Sequence, residues 1–458
     1  MPVQSELLRN GACQLMLSAC IAAVLAPLVA RADASGGQRV PDFPASTLFV
    51  TNCDDDGPGS LRDVLAQASR FDTIDLYGLS CSLITLTTGE LSTDLDDVTL
   101  AGNVTISAGG ASRVLSHLGT GTLGLFGLEF SDGQVIANPA NGGCIRSQGN
   151  VSMNRVVVHD CHLYSMQGAP GSSARGGGVY ARGTAFLDHS SIFNNSILPA
   201  IGSYSYGEGA GVHAYESLFL EDSTISGNVI YGSSSYASGG GFSTRGGAGI
   251  AYSSITGNRA QFAGAGRFGN PQTTSEIRNS TISGNAGFEA GGIVSNDAIL
   301  RVRNSTIVFN TAQRSGDGYV EGAGILALGD QEYLSLRSSI VAMNTAAGVP
   351  DDVCVHQVFP NGLIGFANLI LTANVALPHD TIQTDPLLAP LADNGGPTLT
   401  HALLPGSPAI DAGNNYLFIP YDQRGEGFPR VSGNRADIGA FELQVTEMPD
   451  GIFNSGFD

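Results

Sequence analysis

The chain has 458 residues, enough for two or three ordinary domains or for one elongated repeat domain. It contains 62 Gly and no Trp, and only 14% of its residues are charged, a composition that suits short strands joined by tight turns. The net charge of −20 argues against nucleic acid as a partner and against electrostatic docking on anionic lipid, because both carry negative charge.

Residues 1–32 are predicted to be a signal peptide. Arg9 precedes an apolar run from Leu15 to Ala30, and an Ala-x-Ala pattern ends at Ala32. The alternative is a lipoprotein signal at Cys20, but the residues after it stay apolar, which favours ordinary cleavage. We therefore expect a secreted, extracellular or outer-surface protein with a linker at 33–46.

Five cysteines remain after this cleavage. Proximity in sequence predicts the disulfides Cys53–Cys81 and Cys144–Cys161, and leaves Cys354 without a partner. The alternative is a zinc site formed by Cys144, Cys161 and the two histidines beside Cys161. Its spacing fits no common zinc finger, and an exported protein favours disulfides.

Residues 47–100 are predicted to form an N-terminal cap and the first turns of the fold. Ser60 is a candidate N-cap, and the residues after it place an apolar face on one side of a short helix, which would close the open end of a solenoid. Asp54–Asp56 raise the alternative of a structural calcium ion, although they match no EF-hand spacing and a solvated turn is favoured. No metal or other cofactor is otherwise predicted.

Residues 101–370 repeat a motif that reads Ser-Thr-Ile-x-x-Asn in its clearest copies. The copies end at Asp160, Asn195, Asn228, Asn258, Asn285, Asn310 and Asn344, so they lie 25 to 35 residues apart. The isoleucines at the fixed position are Ile192, Ile225, Ile255, Ile282 and Ile307. A Gly-Gly-apolar motif, or its Ala-Gly variant, recurs between copies.

This repeat predicts an all-β solenoid. Apolar residues alternate at period two and no helical period is long enough for a β-α-β crossover, so a Rossmann or barrel fold is excluded. Units of this length match one turn of a parallel β-helix, in which the isoleucines would stack as an internal ladder. We expect each motif-ending Asn to take the positive φ of a bend and to hydrogen-bond to the next turn.

The repeat resembles the GGA(I/L/V) and FxxN repeats of polymorphic outer-membrane proteins of the chlamydial type. More specifically, the segment from Val50 to Glu442 resembles bacterial right-handed parallel β-helix proteins with a choice-of-anchor Q region. The motifs that carry this resemblance are Gly57–Arg62 and, in the C-terminal region 371–443, Asp393–Thr398, Gly406–Gly413, Asp422–Gly425 and Asp437–Glu442. The resemblance implies one right-handed β-helix with a loop-rich C-terminal cap.

The C-terminal region allows two interpretations of its charged residues. Arg424, Asp411 and Asp437 are either an acid-rich functional site or fasteners that tie irregular loops together, and the second is favoured because Arg–carboxylate pairs commonly hold such loops. The tail 444–458 contains no apolar stretch long enough for a membrane helix.

Two functions fit this fold. The first is a non-catalytic, adhesin-like monomer that contacts surface glycans or extracellular matrix through an aromatic patch; its tyrosines are Tyr204, Tyr206, Tyr231 and Tyr236. The alternative is a polysaccharide lyase or glycoside hydrolase acting in a groove of the β-helix. The chain has no Gly-His-Gly and no Lys, which excludes the polygalacturonase pattern, and its carboxylates share no repeat position. The sequence therefore favours the first function.

Overall fold

The structure is a computed structural model that describes residues 45–445, apart from the short gaps 167–171, 200–204, 233–235, 270–272, 297, 314–321, 330–333 and 357–362. The predicted signal peptide, most of the linker and of the tail, and Tyr204 lie outside the described residues. The fold is a right-handed parallel β-helix, as the sequence predicted. No helix in the described part of the chain is long and apolar enough to cross a membrane.

Five sheets run along the solenoid, and we number them I to V in the order in which a full turn visits them. Sheet I contains Thr47–Phe49, Thr73–Asp75, Val98–Ala101, Thr122–Phe126, Asn150–Asn154, Ala185–Asp188, Leu218–Glu221, Ala248–Ala251, Thr274–Arg278, Ile299–Arg303, Leu334–Arg337 and Leu363–Phe366. Sheet II contains Leu83–Thr85, Thr105–Ser107, Glu129–Ser131, Val157–His159, Ser191–Phe193, Thr224–Ser226, Ser254–Thr256, Thr281–Ser283, Thr306–Val308, Ile340–Ala342 and Leu369–Ile370.

The other three sheets complete the turn. Sheet III contains Gln134–Ala137, His162–Ser165, Ser196–Leu198, Val229–Ile230, Arg259–Ala260, Ala286–Gly287, Thr311–Ala312, Thr345–Ala346 and Val349–Pro350, of which the last pairs antiparallel. Sheet IV contains Ala140–Asn141, Ser173–Arg175, Tyr206–Glu208 and Tyr236–Ser238. Sheet V contains Leu91–Thr93, Leu115–His117, Ile145–Ser147, Val179–Ala181, Val212–Ala214, Phe242–Thr244, Gly266–Phe268, Ile293–Asn296, Ile325–Leu328 and Val353–His356.

The isoleucines of the repeat form a ladder on the inner face of sheet II. Successive members pair in register from turn to turn, the last of them pairs with Val341, and all are fully buried; the members are Ile192, Ile225, Ile255, Ile282 and Ile307. A side chain that repeats at one position of every turn fills the core continuously, and a β-branched residue fits the pleated surface well.

The asparagines of the repeat form a second, polar ladder inside the solenoid. In the Asn258 step, for example, the side-chain Nδ2 donates to Asn285 Oδ1 at 3.0 Å and to the Ile225 carbonyl at 2.9 Å, while Oδ1 accepts from the backbone and side chain of Asn228. The same pattern runs through Asn195, Asn228, Asn258, Asn285, Asn310 and Asn344. Each buried amide is therefore satisfied by its neighbours.

Two details of the repeat prediction are wrong. The positive φ is not at the ladder asparagines: it lies at the residue before them, such as Gly227 (φ 63°), where glycine avoids a Cβ clash. The first copy is also shifted by one residue, because Val158 pairs with Ile192, which places Cys161 rather than Asp160 opposite Asn195.

The N-terminal cap follows the prediction. The helix Leu61–Gln67 begins at Ser60, whose Oγ accepts from the Asp63 backbone N–H, and the Asp63 carboxylate accepts from Gly59 in return. Its buried residues join the main core cluster. The predicted disulfides Cys53–Cys81 and Cys144–Cys161 are both confirmed, so the zinc alternative for the second pair is wrong.

The C-terminal region closes the fold in two ways. Ala373, Val375 and Leu377 pack against the end of the main core, as expected of a cap. The segment from about residue 385 onward then folds back over the outer face of sheet II, where Phe441 and Ile438 join a separate apolar cluster. This lateral cover was not predicted.

Charged residues tie the loops of this cover together. Arg424 donates to the Asp422 carboxylate at 2.8 Å and lies between the rings of Phe428 and Phe441, each 3.9 Å away. Asp437 accepts from the Asp411 backbone N–H at 2.7 Å. These contacts place the residues in the role of fasteners.

Candidate functional site

A cleft lies where sheets IV and V meet at a sharp corner. The corner is made of glycines: Gly176 and Gly209 have positive φ, and a Cβ on Gly177 would lie 2.3 Å from the Ala210 carbonyl O. Only glycine allows successive turns to approach so closely. The cleft has a volume of about 520 Å³, and we call it the arginine cleft; its lining is Arg175, Tyr206, Glu208, Ser238, Arg245, Phe262, Arg267, Glu289 and Asn296.

One arginine of the cleft is paired within the protein. Arg175 Nε donates to Glu208 Oε2 at 2.5 Å, and the two residues are register partners on neighbouring turns of sheet IV. Burial alone would raise the pKa of Glu208, but His213, Arg175 and Arg245 together outweigh it and the pKa falls below its ordinary value. Glu208 is therefore an ionised structural partner rather than a general acid.

The other two arginines have no ion pair to a described residue. Arg245 stacks on Tyr215, with its guanidinium 4.7 Å from the ring centre, and Arg267 lies 5.9 Å from the centre of the Phe262 ring. Burial lowers the pKa of Arg267, Arg245 lowers it further, and Glu208 acts in the opposite direction. The cleft thus presents two guanidinium groups that lie over aromatic rings and make no salt bridge to a described residue, while the carboxylates of Glu208 and Glu289 line the same cleft.

Two buried polar side chains beside these arginines have no hydrogen-bond partner among the described residues. Ser238 lines the cleft, and its hydroxyl is buried and unsatisfied. His213 is fully buried, stacks on Tyr180 at 5.7 Å, and leaves both ring nitrogens unpartnered. Burial lowers the pKa of His213 to about 4, so its imidazole is neutral at neutral pH. A buried polar group without a partner is rare in native proteins and requires an explanation.

The arrangement can bind a carboxylated, hydroxyl-rich ligand. Guanidinium groups match carboxylates in two-point geometry, a serine hydroxyl can bond to a sugar hydroxyl, and aromatic faces accept the apolar faces of sugar rings. Tyr206 and Phe262 supply those faces.

The structure separates the tyrosines that the sequence singled out. Tyr206 lines the arginine cleft and pairs in register with Tyr236 on the next turn of sheet IV. Tyr231 is 53% exposed and lines a smaller cleft of about 160 Å³ beside sheet III. Tyr204 lies outside the described residues.

One of the candidate calcium ligands, Asp55, has other partners. Asp55 pairs with Arg62 at 2.7 Å and accepts hydrogen bonds from Thr87 and Thr88. Burial would raise the pKa of Asp55, but these contacts hold it well below its usual range. Asp55 therefore ties the N-terminal helix to a neighbouring loop.

Sequence reasoning missed Arg175, Arg245 and Arg267. Each lies on a different turn, and the turns differ in length, so no fixed spacing relates them. The only available signal was their position close to the Gly-Gly motifs, which places them at the corner where sheet V begins or ends.

Comparisons with known proteins add little. No family model matches the chain, and no curated protein matches it. One similar solved structure is described as the crystal structure of pectate lyase Pel9A: it is 13% identical, the match covers 87% of this chain and 97% of that one, and the TM-score is 0.46. That likeness carries no functional conclusion for this chain.

Proposed function

We propose that the protein binds an acidic polysaccharide in the arginine cleft, outside the cell. The observation that carries this proposal is the pair Arg245 and Arg267, which lie in a cleft without a described carboxylate partner in a chain of net charge −20. Acidic residues outnumber basic ones 41 to 21, so two arginines without a described ion pair at one place indicate a ligand.

The chemistry favours a uronate. A uronate carboxylate can accept paired hydrogen bonds from one guanidinium, and its ring hydroxyls can reach the unsatisfied Ser238. Tyr206 and Phe262 frame the same cleft.

An extracellular setting is supported by the two disulfides, which form and persist in oxidising compartments. The signal peptide at 1–32, the domain boundaries and the choice-of-anchor Q assignment stay predictions. Attachment to the cell surface, and with it an adhesin-like role, belongs to the same proposal.

The proposal is tested by equilibrium binding of the purified full chain to polygalacturonate and alginate, with neutral galactan as comparison. We expect binding to the two polyuronates that weakens as salt is raised. The double variant Arg245→Ala/Arg267→Ala should lower the affinity at least tenfold, since each lost charged hydrogen bond contributes about 1.5 to 3 kcal/mol.

The matched control is Arg259→Ala. Arg259 is exposed on sheet III and does not line the arginine cleft. Its replacement should leave the affinity unchanged. Equal loss in both variants, or equal binding of neutral galactan, would overturn the proposal.

A second candidate function is cleavage of the same polysaccharide by β-elimination. The specific observation is Arg267, whose half-buried side chain lines the cleft and whose pKa is lowered by burial, which is the direction that proton abstraction by a guanidine needs. Release of unsaturated products from polygalacturonate, abolished in Arg267→Ala, would establish this activity. Binding without product release would exclude it and leave the binding function intact.

A further inference from the structure

The arginine cleft lies at one end of a polar row on the outer face of sheet V. The middle residues of the strands point outward, because alternate residues face opposite sides and their neighbours, such as Ile145 and Val179, belong to the core. They are register partners from turn to turn: Ser116, Arg146, Tyr180, His213, Ser243 and Arg267. The next two positions, Val294 and Leu326, are apolar, so the polar row ends in the arginine cleft.

Sheet IV lies across the glycine corner from this row. A Cβ on Gly142 would lie 2.2 Å from the Ile145 carbonyl O, and the approach is similarly close at Gly239, three turns further along the solenoid. Glu208 of sheet IV and His213 of sheet V interact electrostatically across the same corner. The outward side chains of the two sheets therefore line one groove that runs parallel to the solenoid axis.

Buried polar groups without partners recur along this groove. In addition to Ser238 and His213, the Ser116 hydroxyl, Asn141 Oδ1 and Arg146 Nε have no hydrogen-bond partner among the described residues. The side chains of Ser116, Ser238 and His213 are at most 2% exposed. Because such groups are rare in native proteins, their alignment over several turns indicates a ligand that extends beyond the arginine cleft.

Arg146 is the guanidinium at the far end of the groove. It is half-buried and makes no salt bridge to a described residue, whereas Glu90 at the same end is paired with Arg113. Arg113 also donates to the carbonyls of Asn141 and Gly142, which fixes the corner beside Arg146. Burial lowers the pKa of Arg113, Arg146 lowers it further and Glu90 opposes the shift, so the two guanidiniums lie close together. One positive charge at this end is therefore left for a ligand.

The sheet register gives the length of the groove. Four turn-to-turn steps separate Arg146 from Arg267. Neighbouring parallel strands lie about 4.8 Å apart, so the two positions are about 19 Å apart along the axis. One residue of an extended polysaccharide chain is roughly as long as one such step, so a chain of about five residues would reach both arginines.

We propose that a single polyuronate chain lies in this groove along the solenoid axis, with one carboxylate at Arg146 and another in the arginine cleft. The inference rests on the proposed function and adds the length of chain that the protein recognises. Glu208 does not oppose the arrangement, because Arg175 balances its charge. The two guanidinium positions favour the interior of a polymer over a monosaccharide or a short oligomer.

The test is calorimetric titration of the full chain with galacturonate trimers and hexamers. The wild-type affinity should be at least tenfold higher for the hexamer, because only the hexamer reaches both arginines and one charged hydrogen bond contributes about that factor. Arg146→Ala should weaken hexamer binding at least tenfold and leave trimer binding unchanged. The thermal midpoint of the variant shows, independently of binding, that it is folded.

The matched control is Arg182→Ala. Arg182 is exposed and directly follows the strand of sheet V on the turn after Arg146, so its replacement should leave both affinities unchanged. Equal wild-type affinity for trimer and hexamer, or hexamer binding that is unaffected by Arg146→Ala, would overturn this inference and leave the proposed function standing. Equal loss of hexamer binding in Arg182→Ala would overturn it as well. Absence of binding to trimer, hexamer and polymer alike would overturn both.

Discussion

Buried polar side chains on the outer face of sheet II and at the corner between sheets IV and V differ in their hydrogen bonding. On sheet II, Thr281 donates to Gln423 Oε1 at 2.6 Å, and Ser283 lies 2.8 Å from His401 Nε2, because the C-terminal region covers this face. At the corner, Ser238 and His213 are as buried as these residues but find no described partner.

This difference distinguishes polar side chains that stabilise the fold from polar side chains that are left for a ligand. For Thr281 and Ser283 the chain supplies partners from its own C-terminal region, as the asparagine ladder does inside the solenoid, although Ser254 on the same sheet has a buried hydroxyl without a described partner. At the arginine cleft Arg175 and Glu208 are paired, but Ser238 and His213 have no described partner, and each such buried group costs about 1 to 3 kcal/mol. We infer that a ligand bound in the cleft supplies the hydrogen bonds that these buried groups lack.

The largest expected effect is on the covered face. Gln423→Ala removes hydrogen bonds to Thr281, Thr398 and the Leu399 carbonyl and leaves buried groups unsatisfied, so the free energy of unfolding should fall by about 3 kcal/mol. Chemical denaturation measures this free energy of unfolding. The exposed Gln67→Ala serves as control and should change stability by no more than about 0.5 kcal/mol.

Two buried serines, one with a partner and one without, should differ in how much their replacement lowers stability. Ser283→Ala breaks the contact with His401 and should cost about 1 to 2 kcal/mol. Ser238→Ala removes a hydroxyl that has no described partner, so stability should stay the same or rise slightly, while polyuronate binding weakens. Comparable destabilisation in the two variants would show that Ser238 is satisfied within the fold.

A third effect is a dependence of stability on pH. The imidazole of His213 has a pKa of about 4 in the folded protein and 6.5 as its ordinary value, so between these pH values the unfolded chain binds more protons. The free energy of unfolding should therefore fall as the pH is lowered from about 6.5 to about 4. His213→Leu should flatten this part of the profile, and an unaltered slope would assign the effect to other groups.

The sequence predicted the scaffold far better than the cleft. The isoleucine and asparagine ladders recur once per turn, so periodicity alone located Ile225 and Asn228 in the core. The first copy of the repeat was misaligned by one residue, to Asp160, because that copy carries Cys161 where the others have Asn. The cleft residues Arg245 and Arg267 come from turns of different length, and only the register of the sheets shows that they meet.

The lateral cover of sheet II was missed for a related reason. Contacts such as the hydrogen bond from Asn279 Nδ2 to the Tyr421 carbonyl join residues 142 positions apart, and no local sequence pattern predicts them. The apolar residues that drive this docking, Ile438 and Phe441, lie in irregular loops without periodicity. The motif resemblance implied a loop-rich C-terminal cap but not the face that it covers.

The most direct test of the account is a crystal structure of the protein with a galacturonate oligomer. The account predicts a uronate carboxylate against Arg245 and Arg267, with a sugar hydroxyl within hydrogen-bond distance of Ser238 Oγ. An oligomer ordered elsewhere, such as beside Tyr231 on sheet III, with the arginine cleft holding no sugar, would contradict it.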